Sequence, residues 1–253
     1  MPIVQINGQT LFYESLGDGP PLLLMHGWMQ VGHELIGLAQ ELARDYRVIL
    51  PDLPGYGRSV PPLRRFTPDF YHRDAELMGK LPDALKLTNV HILGFSDGGE
   101  VALILGSLRP DLCRSVVAWG AIGTYPPELC ASARTYSPNV AEHFRPLHPS
   151  QNIDRWPGEW ADAVCAIVEA GGDLSLKRAP EIKCPLLLMV GDNDILNPVS
   201  AAQHFVETAR AGSQNGKPAR MFRPFVQTGH AIHEERPEQF IETVRDFLRS
   251  YCA

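Results

Sequence analysis

No stretch of this chain stays apolar for the ~18–20 residues that a membrane-spanning helix requires. Its opening residues, Met1-Pro2-Ile3-Val4-Gln5, form neither a basic nor an apolar leader, so a secretion signal is not expected. Basic runs are missing too: 23 Lys and Arg stand against 29 Asp and Glu, a net charge of −6. That balance gives neither nucleic acid nor an anionic membrane a footing. Cysteine is scarce. Cys113, Cys130, Cys165, Cys184 and Cys252 are odd in number and scattered, without a C-x-x-C pair or a His/Cys cluster. Zinc and a disulfide framework are therefore not expected, and reduced thiols in a cytoplasmic setting are. Internal repeats and low-complexity segments are lacking as well.

What is present suits a soluble α/β protein. The 253 residues, 44% apolar and 21% charged, can build one large domain or two small ones. Ile3–Ile6 and Thr10–Glu14 flank Asn7-Gly8, which predicts a hairpin. Leu22–Met25 reads as a strand buried on both faces. Helical spacing over 33–44 and strand Arg47–Leu50 follow, then a helix over 69–86 that Pro82 strains or breaks. Strand 90–94, helix 97–108 and strand Ser115–Trp119 continue the alternation. From 123 to 180 the pattern changes to short helical stretches rich in proline and aromatics, the last being a helix over 157–170 closed by Gly171-Gly172. Strand 185–190, helix 198–211, strand 220–225 and helix 237–250 then resume it. Repeated βα units predict a mostly parallel sheet with helices on both faces. Residues 1–122 and 181–253 form its two parts. The 123–180 block is expected to lie over the carboxyl ends of the strands, as a cap on a pocket.

One segment organises the chemistry. Val90–Gly94 runs into Gly94-Phe95-Ser96-Asp97-Gly98, and an apolar helical pattern begins at once. A strand–turn–helix of this kind lifts its serine above the sheet edge, with glycines relieving the crowded turn. A neutral hydroxyl needs a base, and the base an orienting carboxylate. Of nine histidines only His230 follows the last predicted strand in a Gly-His loop, with His233 as its competitor. His91, His72 and His204 fall inside regular elements, while His143 and His148 could at most line the pocket. For the acid, Asp194 in Gly191-Asp192-Asn193-Asp194 leaves room for a turn after the strand, whereas Asp192 suits turn-making. Oxyanion donors are expected at the backbone N–H of Asp97, at a helix N-terminus, and of Trp28, with Met29 in reserve. His26 braces that turn. Asp52 and Arg58 shape the loop beside the pocket.

These marks resemble the α/β-hydrolase superfamily: His26-Gly27, Asp52-Leu53-Pro54-Gly55-Tyr56-Gly57-Arg58-Ser59, Gly94–Gly99, Gly191…Asp194…Pro198 and Gly229-His230. The resemblance implies the α/β-hydrolase fold, a mostly parallel eight-stranded sheet with an inserted helical lid at 123–180. It also implies Ser96, Asp194 and His230 as the triad. More narrowly, Gly-Phe-Ser-Asp-Gly-Gly with Trp119-Gly120-Ala121 resembles the biphenyl-hydrolase-like, valacyclovir-hydrolase-type esterases. That likeness implies amino-acid esters as substrates and an Asp97 that holds their α-ammonium. An Asp97 that is solvated or paired with an arginine stays open. Trp28, Tyr125, Tyr136, Phe144, Trp156 and Trp160 are candidates to line an acyl pocket, although Trp156 and Trp160, one turn apart, could equally pack the lid on itself.

The expectation is a serine esterase without cofactor or metal, acting on a small ester as monomer or homodimer. Carbon–carbon hydrolase, lactonase and perhydrolase chemistry on the same triad stay open. So does a ligand receptor with vestigial turnover.

Overall fold

The computed structural model describes residues 2–135, 139–211 and 219–252. In chain order the elements are β1 Ile3–Ile6, β2 Gln9–Leu16, β3 Pro21–Met25, α1 Ile36–Leu42, β4 Arg47–Pro51, α2 Phe70–Ala84, β5 Val90–Phe95, α3 Asp97–Leu108 and β6 Cys113–Trp119. The insertion then supplies α4 Glu128–Ala133, α5 Val140–Phe144 and α6 Trp156–Glu169. The sheet is completed through β7 Leu186–Gly191, α7 Val199–Ala211, β8 Arg220–Phe225, α8 Ile232–Glu235 and α9 Pro237–Cys252.

The eight strands form one sheet in the order β1-β2-β4-β3-β5-β6-β7-β8. Only the β1–β2 and β2–β4 pairings are antiparallel; the rest are parallel. Asn7 and Gly8 both take positive φ in the first hairpin, as a two-residue turn matched to strand twist requires. Alternate residues of the central strands feed two cores. Leu23, Ile49, Ile92, Val116 and Leu188 meet α2, α3 and α7 on one face. Leu22, Val48, Leu93, Val117 and Leu187 meet α1 and α9 on the other. Burial on both faces is why these strands read as unbroken apolar runs.

Two expectations are corrected. Helix α2 continues through Pro82 to Ala84, because the proline falls in the last turn, where only one intrahelical bond is forfeited. Cysteine is not uniformly reduced: Cys130 and Cys165 form a disulfide across 35 residues of sequence. The pair looked unrelated along the chain, but α4 and α6 pack side by side and bring its Cα atoms to 4.6 Å. The argument for a reducing compartment loses that ground. Cys113 and Cys184 are buried thiols. Among the described residues no helix is long and apolar enough to cross a membrane.

The insertion leaves the sheet after β6 and returns before β7 through a narrow stem. The Gly123 carbonyl accepts from the N–H groups of Leu174, Ser175 and Leu176 at 2.9–3.2 Å, and Tyr125 N–H donates to the Gly172 carbonyl at 2.6 Å. Thr124 and Asp173 form a β-bridge between the same two strands of chain.

Candidate active site

Ser96 sits between β5 and α3 with φ 53° and ψ −119°, a left-handed backbone that a residue with a Cβ adopts only when its surroundings impose it. They do so here through close packing. A Cβ on Gly98 would lie 2.5 Å from the His26 carbonyl oxygen and 2.6 Å from that of Met25. Helix α3 can therefore butt against the end of β3 only with glycine at that position.

The loops after β7 and β8 bring Asp194 and His230 to the same point. His230 Nε2 lies 2.9 Å from Ser96 Oγ, and its Nδ1 lies 2.8 Å from Asp194 Oδ2. Asp194 is further held by Asn197 Nδ2 at 3.0 Å and by the Leu196 N–H at 2.9 Å. Burial opposes its charge, yet His230, Asn197 and Leu196 outweigh that and keep its carboxyl below the ordinary value. Gly120 turns at φ 61°, and a Cβ there would stand 2.9 Å from His230 Cε1, so glycine leaves the imidazole its space.

The competing residues are occupied elsewhere. Asp192 is exposed and accepts from the Thr228 N–H at 3.3 Å. His233 is half-buried, its ring packed against Phe95 and accepting from Trp119 Nε1 at 3.1 Å; desolvation of the ring pushes its pKa down to about 4. His26 Nε2 accepts from the Leu53 N–H at 2.9 Å while its Nδ1–H donates to the Gly27 carbonyl at 2.8 Å. Burial likewise lowers its pKa to about 4, so it braces the turn as a neutral ring. Asp52 takes the N–H groups of Gly32 and Arg58, both at 2.9 Å.

A cavity of about 30 Å³ adjoins Ser96 and His230, its wall including Asp97, Glu100, Tyr125 and Trp160. That volume holds one or two water-sized groups. Asp97 is 5% exposed. Its Oδ1 accepts from Tyr71 OH at 2.6 Å, and Tyr71 in turn meets Tyr125 OH, while its Oδ2 has no partner among the described residues. Among the described residues no arginine pairs with it directly. Arg64 is committed to both Asp74 oxygens at 2.7 and 2.8 Å and reaches Asp97 only through its field. Burial lifts the Asp97 pKa to about 6 against the pull of Tyr71 and Arg64.

Other aromatic candidates divide. Trp160 lines the cavity and packs on Trp28 with ring centroids 4.9 Å apart. Trp156, expected among the substrate-binding residues, is not in the cavity wall. It is fully buried against Tyr56, Phe66 and His148, because the first turn of α6 faces the seam between insertion and core. Phe144 packs on the main core; Tyr136 lies outside the described residues.

Glu100 went unnoticed in the sequence although it stands four residues after Ser96, one helical turn along the same face. Its carboxylate accepts from the N–H groups of Ile122 (2.8 Å) and Gly123 (3.0 Å), and burial raises its pKa to about 8. A folded pKa above the ordinary carboxyl value of 4.5 means stability that is complete below that pH and lost as pH rises through about 8. The desolvated rings of His26, His91 and His233, each lowered to about 4, act below pH 6.5 instead. Between pH 6.5 and 8 the native protein should therefore lose about 2 kcal/mol that Glu100→Gln retains. Denaturant titrations across that interval check this, and parallel slopes for the two proteins would refute it.

Comparison with known proteins agrees with this architecture. Residues 20–147 match a family described as the alpha/beta hydrolase fold. The human serine hydrolase BPHL is 29% identical over 97% of this chain and 85% of its own. A pimeloyl-[acyl-carrier protein] methyl ester esterase of Aeromonas salmonicida is 29% identical over 93% of this chain and 98% of its own. The crystal structure of an E-2-(acetamidomethylene)succinate hydrolase superposes with a TM-score of 0.76, at 18% identity, over 98% of both chains. With the sheet order, the serine elbow and a family match over half its length all in accord, the chain belongs to the α/β-hydrolase family.

Proposed function

We propose that this hydrolase cleaves small carboxylic esters, α-amino-acid esters in particular, through an acyl-enzyme on Ser96. The observation that carries the reading is the Ser96–His230–Asp194 relay, with steps of 2.9 and 2.8 Å. His230 Nε2 takes the Ser96 proton as Oγ attacks the ester carbonyl. The carbonyl oxygen becomes an oxyanion held by the N–H groups of Trp28 and Asp97, the latter at the N-terminus of α3 where the helix dipole assists. The tetrahedral intermediate collapses, and His230 hands its proton to the departing alcohol. Water, activated by the same imidazole, then releases the acid. The 123–180 insertion acts as lid, with Tyr125 and Trp160 over the acyl group. A serine at the elbow cannot form the alkyl-enzyme ester of an aspartate nucleophile.

Asp97 supports the narrower substrate class. Asp97 lines a 30 Å³ cavity beside the nucleophile, and an ionised carboxylate with one buried oxygen lacking a partner among the described residues is poorly stabilised until a compact cation joins it. An α-ammonium has that size and charge. BPHL, a serine hydrolase, supports the serine nucleophile, and the methyl ester esterase, as a relative, favours ester chemistry over the carbon–carbon and lactone alternatives.

Benzyl esters of alanine and isobutyric acid, matched in shape but not in charge, test the reading alongside a fluorophosphonate probe read by intact mass. The native protein should gain one adduct that Ser96→Ala does not. Asp97→Asn should lower kcat/KM for the alanine ester at least ~10-fold more than for the isobutyrate, a difference of about 1.4 kcal/mol. Equal losses would remove the ammonium role. An unlabelled native protein would remove the nucleophile and favour a ligand receptor.

A further inference from the structure

The turn His26–Gln30 is held at its two ends by different parts of the molecule. The core fixes the first end: His26 bonds to Gly27 and Leu53, and Gln30 Oε1 accepts from the Gly27 N–H at 2.9 Å. The second end is Met29, at φ 59°, a left-handed conformation that a non-glycine residue keeps only under constraint. Its carbonyl accepts at 2.8 Å from His148 Nε2, a residue of the insertion 119 positions away.

His148 is fully buried, and both its nitrogens are engaged. The Gly57 N–H donates to Nδ1 at 2.9 Å, so the ring proton must sit on Nε2, where the Met29 carbonyl receives it. The rings of Tyr56 and Trp156 lie against the imidazole. Burial lowers its pKa, which favours this neutral form. Three residues on, Gln151 donates to the Gly55 carbonyl at 2.5 Å and accepts from the Arg64 N–H at 2.9 Å. The insertion is thus bolted to the loops beside the nucleophile, and one of its bolts ends on the residue after Trp28. Trp160 adds a second contact, ring on ring, to Trp28 itself.

We propose that His148 is a positioning residue: by holding the Met29 carbonyl it aims the Trp28 N–H, so that the oxyanion site is complete only while the insertion is seated. The inference rests on the serine-hydrolase reading and on Trp28 as an oxyanion donor. Lifting the insertion would break the bonds of His148 and Gln151 together and leave Met29 without its carbonyl partner. Substrate could then enter an open form that does not turn over, and closure would restore both the cover and the donor.

Two substitutions separate the two bonds of the imidazole. His148→Gln keeps a donor near the Nε2 position and so the bond to Met29; His148→Asn keeps an acceptor near Nδ1 for Gly57 and loses Met29. His148→Asn should lower kcat about 10-fold with KM little changed, less than deletion of an oxyanion donor because the donor is misaimed rather than absent. It should weaken an aryl boronic acid, whose tetrahedral adduct puts an oxygen in the oxyanion site, by the same factor. His148→Gln should stay within about 3-fold on both measures. Gln151→Leu, which loosens the bolt without touching the turn, should show the same paired loss, smaller in size. Wild-type kcat and boronate affinity in His148→Asn would overturn the proposal, as would equal losses in the Asn and Gln variants, which mark a merely structural role. Failure of wild-type protein to bind the boronate or take the fluorophosphonate would instead overturn the underlying reading.

Discussion

Asp194→Asn is expected to lower kcat by about four orders of magnitude, while Asp192→Asn leaves it within about 3-fold. The two aspartates are separated by one residue, but only Asp194 meets an imidazole, at 2.8 Å from His230 Nδ1. An ionised carboxylate there keeps the Nδ1 proton in place and leaves Nε2 free to receive the serine proton. An asparagine can present its amide N–H to Nδ1, which favours the tautomer with its proton on Nε2, facing Ser96 the wrong way. Asn197, within 3.2 Å of the same Nδ1, cannot supply the missing charge. Single-turnover acylation rates measure the effect without interference from product release. A loss below 10-fold for Asp194→Asn, or comparable losses for both variants, would remove Asp194 from the relay.

Gly98→Ala should cost about 3 kcal/mol or more and disable the site even where the chain still folds. The added carbon would meet two backbone carbonyls, of Met25 and His26, at 2.6 and 2.5 Å. Neither can rotate away as a side-chain tip would. Helix α3 must retreat from β3, carrying Ser96 away from His230. Gly37→Ala in α1 is the matched control: nothing lies within 4 Å of the new methyl, so a gain of about 0.5–1 kcal/mol is expected from the stiffer helix. The urea midpoint should fall in Gly98→Ala and rise in Gly37→Ala, and the fluorophosphonate labelling rate should drop in the first and stay at the wild-type value in the second. If Gly98→Ala matches wild type in both, the elbow is not the close-packed joint described.

The centre of the sheet was readable because its strands are buried on both faces: runs such as Leu22–Met25 and Leu186–Val190 have no solvent-facing side to interrupt them. The residues brought together at the site were readable for a related reason, since Ser96, Asp194 and His230 each lie just beyond a strand's carboxyl end. What escaped notice depends on contacts between distant segments. Tyr71 meets Asp97 from the first turn of α2 across 26 residues, and nothing in Phe70-Tyr71-His72 sets that tyrosine apart. His148 carries no local motif; its partners Met29 and Gly57 are loop residues far upstream. Cys130 and Cys165 failed as a pair because their adjacency arises from the packing of α4 on α6, which spacing does not encode. Trp156 and Trp160 share a helix face on paper, yet one turn is enough to carry the first into the seam with the core and leave the second over the cavity.

The Gly123 carbonyl gathers three N–H groups from the returning strand of chain, so the insertion enters and leaves the sheet at practically one point. A neck of this kind separates the architecture into two evolutionary currencies. Because its ends are already joined, a longer or shorter insert adds only a logarithmic increment of chain entropy, about 0.6 kcal/mol for each doubling of length. Selection for new substrates can thus rewrite the inserted segment wholesale while the strands beneath keep their registers, provided that any replacement brings its own means of gripping the turn below.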